Sequence, residues 1–465
     1  MKKLISWIVK QAKKGGLFYF FRLVYNFNSW LQKRFTTGGL FVMGGLLASA
    51  VVGIDTKQTV AYKVFTFLLS LISIAVVLSF FFRPRFAVKR ILPKFATKGE
   101  MLSYRIIIEN KSLKKQSGLF FYEDIKEPSL SHKEFLDAQE PGEENRNFFD
   151  RTMGYHRFRW LILKKKKAQI TEQSLPLLPP SMQKEIKAEI IPQQRGYLNF
   201  NRLIISSPDP FGLFKAFVHI YLEQTVLVLP RRYHLPPLSL PGTRIYQSGG
   251  VALASLVGDS EEFISLRDYR PGDPLRKIDW KSWAKTGKPI VREYQDEFFV
   301  RHALVLDTFI KEDHDEIFEE AVSIAASFVS SMETRESLVD LMFVGEDAHF
   351  FTSGRGLCHT DKMLEILAIV TTCKEKPFSL LYSLILNHAS ALSVCICIFL
   401  SWDDERKKLI SHLKELGISL LVIVVTSVKP LNHPDTEFDL GPMKETPENF
   451  YMVEAGKIQE GLRGL

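Results

Sequence analysis

The chain has 465 residues, 46% of them hydrophobic and 24% charged, a globular balance that leaves no need for a large disordered part. That length exceeds one typical domain and points to two or three. The formal net charge of +9 is unevenly spread: Met1 to Thr36 carries Lys2, Lys3, Lys10, Lys13, Lys14, Arg22, Lys33 and Arg34 with no Asp or Glu, which points to an acidic surface, lipid or nucleic acid.

Residues 1–36 alternate apolar clusters (Leu4, Ile5, Trp7, Ile8; then Leu17, Phe18, Phe20, Phe21, Leu23, Val24) with lysines, the pattern of a basic amphipathic segment lying on lipid headgroups. Residues 37–85 contain two uncharged apolar runs, 38–54 and 64–82, each about long enough to span a bilayer. Basic residues flank their outer ends, and the loop between them holds only Asp55, Lys57 and Lys63. The positive-inside rule then places both termini in the cytoplasm of a multi-pass membrane protein. Ala48-Ser49-Ala50 resembles a signal-peptidase site, but the basic region before it is too long and a second apolar run follows at once.

From 86 to 240 the pattern changes to short β-like runs: 101–112, 118–125, 155–170, 185–214 and 221–230, punctuated by Pro, Gly and Asn, which predicts a β-sandwich-like domain. The polar stretch Ser129–Asn147 reads as a long loop. Lys164–Lys167 reads either as a nucleic-acid patch or as a solvated edge that discourages strand pairing. In Ser207-Pro208-Asp209-Pro210-Phe211-Gly212-Leu213-Phe214 the prolines stiffen the chain and Gly212 permits a sharp turn, so that Phe211 and Phe214 tuck beneath it.

Residues 241–300 contain the most unusual stretch, Gly258 to Glu297, where Phe263, Tyr269, Trp280 and Trp283 alternate with charges of both signs around Pro271-Gly272. One reading is an internal clamp between neighbouring domains, with Asp273 and Asp279 paired to Arg267, Arg270 and Arg276 and the tryptophans buried. The other is a docking surface that presents Arg and Trp, the residue types that dominate interface energetics.

Residues 301–465 alternate strands and helices: strand 301–309, helix 315–333, two strands within 336–354, helix 357–372, a strand at Ala391–Ser401, helix 404–417 and strand 418–427. This predicts a doubly wound α/β domain with any ligand at the carboxyl ends of its strands. Cys395 and Cys397, two apart on one strand, share a face and read as small buried hydrophobes; Cys358 and Cys373 add no paired metal-type spacing.

The run Gly272-Asp273-Pro274-Leu275-Arg276-Lys277-Ile278-Asp279-Trp280, followed by Ala284 and by Val291-Arg292-Glu293-Tyr294, resembles the signature of the bacterial DUF58 family. Asp209-Pro210-Phe211-Gly212-Leu213-Phe214 and Leu229-Pro230 fit the same resemblance. It implies a membrane hairpin in the bacterial inner membrane, a sandwich-like region and a von Willebrand factor A-like domain. It also implies a role beside MoxR-type AAA+ ATPases in assembly or cell-envelope maturation. Arg267, Tyr269, Gly272, Asp273, Arg276, Asp279 and Trp280 become its structural or interaction signature.

Von Willebrand A domains often hold a divalent cation through Asp-x-Ser-x-Ser after the first strand. Here the run is Asp307-Thr308-Phe309-Ile310-Lys311, so a phenyl ring and an ammonium replace both serines, and Asp307 is expected to pair with Lys311 or cap the next helix. Ser401, Asp403 and Asp404 are the remaining candidates to complete a Mg²⁺ shell with Asp307. No Walker loop, zinc-protease or nucleophile-elbow motif is present, and no nucleophile has a base beside it in sequence. The expectation is a non-enzymatic membrane adaptor with no cofactor and no nucleic-acid partner; a membrane-tethered nucleic-acid binder using Lys164–Lys167 is a further alternative. A metal-dependent enzyme using Asp307 with Asp403 and Asp404 is the rival.

Overall fold

The computed structural model describes residues 16–53, 59–126, 129–236, 263–273, 275–294, 300–310, 315–332, 337–353, 357–427 and 439–464. The chain divides into two units, Met1–Leu229 and Pro230–Leu465. It is a multidomain α/β protein with mixed sheets.

The first unit begins with three helices, α1 (Gly16–Arg34), α2 (Thr37–Val52) and α3 (Thr59–Ser79). Among the described residues, Val60–Ser79 is the one helix long and apolar enough to cross a membrane. The first apolar run, expected to span as well, forms a helix of 16 residues. At 1.5 Å per residue it measures about 24 Å, short of a hydrocarbon core of about 30 Å. It lies beside α3, and a Cβ on Gly45 would sit 3.4 Å from Leu68. Phe41 and Val51 of α2 and Val60 and Phe67 of α3 are exposed.

The rest of the unit is a two-sheet sandwich. One sheet runs β1 (Phe86–Ile91), β3 (Leu102–Asn110), β7 (Gln183–Pro192), β5 (Ala168–Ile170); the other runs β2 (Phe95–Thr97), β9 (Lys215–Leu229), β8 (Gly196–Pro208), β4 (Phe120–Ile125), β6 (Gln173–Ser174). All pairings are antiparallel except β2 with β9. On β3, Leu102, Tyr104, Ile106 and Ile108 are buried while Ser103 and Arg105 are exposed, the period of two that a half-buried strand requires. They meet Phe121, Phe200 and Val226 in the core. One ion pair crosses that core: Arg90 of the first sheet holds Glu123 of the second at 2.6 Å, and the Tyr104 hydroxyl donates to the same carboxylate at 3.0 Å. Burial pushes the Glu123 carboxyl up, and the Arg90 guanidinium and Tyr104 hydroxyl oppose that shift.

Two expectations for this region fail. Tyr155–Lys165, read as strand, is a helix, and the segment read as a loop contains another, His132–Asp137, capped reciprocally by Ser131 and Glu134. With Phe148–Met153 between them, these are α4 (His132–Asp137), α5 (Phe148–Met153) and α6 (Tyr155–Lys165), a helical insertion in the sandwich. Gly154, at φ 68°, ends α5 and starts α6 in a left-handed conformation that glycine adopts without strain. Phe158 and Leu161 of α6 then pack with Phe135, and with Phe18 and Phe21 of α1. The lysine run closes α6, where cations complement the helix dipole. Lys165 pairs with Glu134 at 2.6 Å, Lys167 donates to the Tyr197 carbonyl at 3.0 Å, and the Lys164 ammonium lies 5.0 Å from the Trp160 ring centre.

The turn after β8 is built on Asp209, whose carboxylate accepts from the backbone N–H groups of Phe211, Leu213 and Phe214. Phe214 is buried beneath it as expected; Phe211 is half exposed instead. This turn meets the start of α2. Thr36 caps α2 by accepting from Gly39 N–H at 3.0 Å, donates its hydroxyl to the Gly212 carbonyl, and donates its own N–H to the Leu213 carbonyl at 3.1 Å. Phe35 and Phe214 pack edge to face with centres 5.0 Å apart.

The second unit holds a six-stranded sheet in the order β14 (Ala348–Ser353), β13 (Ser337–Val344), β12 (Val300–Leu306), β15 (Val394–Phe399), β16 (Ser419–Thr426), β17 (Phe450–Glu454). Only β14 runs antiparallel. Every residue of β15 is buried, as in a strand covered on both faces. The helices are α8 (Asp315–Ser331), α9 (Leu357–Ile369), α10 (Ser379–His388), α11 (Asp404–Glu415) and α12 (Ile458–Gly461). Leu381 and Ile385 of α10 and Leu409 and Leu413 of α11 cover the face that carries Cys395 and Cys397. The two thiols are fully buried, 3.6 Å apart, and the hydrogen bond between them with burial pushes the Cys397 thiol up. Strand–helix alternation was legible, but α10 and β17 were not anticipated. Preceding the sheet, β10 (Phe263–Asp268) and β11 (Ile290–Tyr294) form an antiparallel pair bridged by α7 (Trp280–Thr286).

Candidate functional site

In a doubly wound sheet whose order reverses between β12 and β15, the crevice at their carboxyl ends is the natural ligand position. Asp307 sits there directly after β12, fully buried. One of its oxygens accepts from Phe309 N–H at 2.9 Å and the other from Leu400 N–H at 3.2 Å. The remaining partner is Arg406 in the first turn of α11, whose Nε donates to Asp307 Oδ2 at 2.8 Å. The same guanidinium donates to Asp403 Oδ2 at 2.5 Å and to the Phe309 carbonyl at 3.3 Å, and stacks 4.7 Å from the Phe378 ring centre. Burial pushes the Asp307 carboxyl up, while Arg406 and the two backbone N–H groups pull against it.

Arg406 therefore stands among the oxygens expected to surround Mg²⁺. Its charge is permanent and its planar fork engages both carboxylates at once. The Thr308 hydroxyl turns away to the Val344 carbonyl. Asp403 also caps α11 by accepting from Arg406 N–H at 3.2 Å, and Ser401 is exposed at 3.5 Å from Asp403. Asp404 is not drawn in: it is exposed and lines an open depression of about 500 Å³ with Lys407, Lys408 and His412. Among the described residues, no group of three or more His, Cys, Asp or Glu is placed to hold a metal ion. The expected partner Lys311 lies outside the described residues. Sequence reading missed Arg406, although a basic residue in a helix's first turn, where the dipole disfavours it, is a signal that some acid nearby claims it.

The signature hairpin is the second place. Arg267 grips Asp273 through two hydrogen bonds at 2.7 and 2.8 Å, and Arg270 N–H adds a third at 2.8 Å. The Arg267 guanidinium beside Asp273, with that backbone bond, holds its carboxyl down to about 2. Gly272 makes the intervening turn at φ 108°, which only glycine adopts freely. Asp279 caps α7, accepting from Lys281 N–H at 3.0 Å and Ser282 N–H at 3.1 Å, and pairs with Arg292 of β11 at 2.8 Å. Those backbone bonds and Arg292 lower its carboxyl. Tyr269 N–H donates to the Pro289 carbonyl at 2.9 Å. The side chain of Arg276, expected to join these pairs, lies outside the described residues, as do Gly258–Glu262 and Pro274.

Both carboxylates are bonded within the hairpin: Asp273 pairs with Arg267, while Asp279 takes Arg292 as its partner. The tryptophans behave differently. Trp280 is 64% exposed and stacks on the half-buried Trp283, ring centres 5.2 Å apart, and Leu275, in the turn before α7, is 67% exposed. The clamp reading expected the tryptophans to be buried between domains; within the hairpin itself Trp280, the first residue of α7, is exposed.

Residues 265–392 match the family described as "Protein of unknown function DUF58". The chain is 26% identical over 187 residues to the "Uncharacterized protein YeaD" of Bacillus subtilis (strain 168), a match covering 40% of this chain and 45% of that relative, so it spans less than half of the relative's length. Among solved structures it is similar to the CARDB domain of a Pyrococcus furiosus protein (10% identity, 31% of this chain and 94% of that one, TM-score 0.15). A β-glucosidase from Listeria innocua matches at 12% identity, over 31% of this chain and 16% of the enzyme, with TM-score 0.16.

Proposed function

We propose that this DUF58-family protein is a membrane-anchored, non-enzymatic adaptor or scaffold. In this reading its second unit is von Willebrand A-like and binds protein, with a MoxR-type AAA+ ATPase as partner in complex assembly or envelope maturation. The observation that carries the reading is the exposed Trp280, stacked on the half-buried Trp283, with an exposed Leu275 earlier in the same segment, on a hairpin held by the Arg267–Asp273 and Arg292–Asp279 pairs. Aromatic anchors on a preorganised element are what protein interfaces use, whereas an isolated water-soluble surface gains nothing from them.

The strand order with its single antiparallel edge supports the A-like reading of the fold. The Arg406 cluster supports the non-enzymatic half, because a guanidinium occupies the oxygens a catalytic Mg²⁺ would need. The apolar surfaces of α2 and α3 and the basic flanks of the pair support an inner-membrane hairpin with both termini cytoplasmic.

The test is affinity purification of the full chain from its own membranes in detergent, with ATP hydrolysis blocked. The expected result is recovery of an AAA+ ATPase that is lost from Trp280→Ala and Leu275→Ser while thermal unfolding stays unchanged. Recovery of no ATPase, or equal recovery with the variants, would overturn the reading.

A further inference from the structure

Helix α1 carries two apolar stripes on nearly opposite faces. At 3.6 residues per turn, Phe18 and Phe21 share one side, and both are buried against Phe135 and Phe158 of the helical insertion. Phe20, Leu23, Val24, Phe27 and Trp30, related by i+3 and i+4 steps, fall on the other side, and each is between 41% and 66% exposed. Arg22, Asn26, Ser29 and Lys33 fall nearer the docked side. The helix is therefore seated on protein by one stripe and leaves a longer aromatic stripe bare.

The neighbouring chain limits what covers that stripe. Only Phe35 and Thr36 separate α1 from α2, a reach of about 7 Å. Thr36 is also the cap of α2 and is bonded to the Asp209 turn, so the carboxyl end of α1 is fixed where the apolar helices emerge from the sandwich. Leu31 and Phe35 continue into a cluster with Leu71 and Ala75 of α3. An aromatic stripe that ends where the apolar helix α2 starts and where the carboxyl half of α3, the membrane-spanning candidate, packs, in a segment without acidic residues before Thr36, has the composition of an interfacial helix.

We propose that α1 lies in the headgroup–acyl boundary of the bilayer by its Phe20–Leu23–Val24–Phe27–Trp30 face. Its opposite face carries the helical insertion, making α1 a mount that sets the sandwich on the membrane surface. This rests on the membrane-anchored part of the reading above.

The probe is native Trp30. The full chain is reconstituted into nanodiscs of phosphatidylcholine and phosphatidylglycerol, in a Trp7→Phe background, with and without Trp30→Phe. The difference emission isolates Trp30. Acyl chains brominated near the headgroup are expected to reduce it by roughly half, with aqueous iodide leaving it unchanged. Quenching by iodide and not by bromine overturns the proposal in favour of a solvated helix. Protection from both overturns it in favour of a protein cover, such as a second copy. Alkaline carbonate washing separates the two levels: a chain that washes off membranes overturns the anchor and the mount together, whereas a retained chain with iodide-accessible Trp30 overturns the mount alone.

Discussion

Arg406 reaches Asp307 across 99 residues of chain and leaves the carboxylate with no lone pair facing solvent. Removing the guanidinium would strand a buried acid with only the Phe309 and Leu400 N–H groups as donors. Arg406→Ala should therefore lose about 3–5 kcal/mol of stability, the usual cost of breaking a buried pair from one side. Arg406→Lys should recover little, since one ammonium cannot serve two carboxylates and a carbonyl in a plane. Millimolar Mg²⁺ should stabilise the alanine variant more than the parent, because the vacated oxygens suit a hard cation. Denaturant titration of the three proteins with and without Mg²⁺ measures both effects; an alanine variant as stable as the parent would remove Arg406 from its assigned role. Ser401, Asp403 and Asp404 were expected near Asp307 because strand alternation puts them at the strand ends; of these, Asp403 shares Arg406 with Asp307 and Asp404 stands apart. Arg406 was missed: its place in the first turn of α11 hints at an acidic partner, but which acid it meets depends on the sheet bringing β12 beside β15, which no local pattern encodes.

At the scale of elements, the junction between α2 and the Asp209 turn leaves no room for a side chain on Gly39. A Cβ there would lie 2.0 Å from the Leu213 carbonyl oxygen, while one on Gly44, in the same helix, would meet nothing within 4 Å. Gly39→Ala should break the Thr36–Gly212–Leu213 contacts or displace the turn, at a cost of about 1–3 kcal/mol. Gly44→Ala should be neutral or stabilising by up to about 1 kcal/mol, as helix propensity dictates. Thermal unfolding of the purified full chain in one detergent compares them, and equal melting points would mean that the junction yields freely. The sequence foretold the sharp Asp209-Pro210-Phe211-Gly212 turn, since its residue chemistry is local. It did not foretell what the turn receives. Tyr155–Lys165 shows the same limit: its apolar residues fit a period of two about as well as 3.6, and the helix is selected by Phe158 and Leu161 packing on α1, more than a hundred residues earlier.

For the whole molecule, the boundary between units carries a measurable consequence. The second unit begins at Pro230, and its first residues are bound to its own core. Tyr233 N–H donates to Ser327 Oγ at 2.7 Å, the Tyr233 hydroxyl donates to Glu320 at 2.6 Å, and Gln459 bonds His234 through both its amide atoms. Leu235 is buried beside them. Burial of the Tyr233 hydroxyl, with Glu320 next to it, raises its pKa, so it stays a donor across the accessible pH range. A composition-based boundary at 240 cuts after this strap, because nothing in Arg231–Leu235 has the periodicity of an element. A fragment of residues 230–465 should fold cooperatively without detergent, and one of residues 241–465 should be less stable by about 2–4 kcal/mol, from one leucine burial and the lost hydrogen bonds. For a unit of this size that is a drop of several degrees in Tm. Calorimetry of both fragments, with Tyr233→Phe and Leu235→Ala in the longer one, would apportion the loss. If the shorter fragment melts no lower, the strap adds nothing and the second unit's stability resides wholly in its sheet and helices.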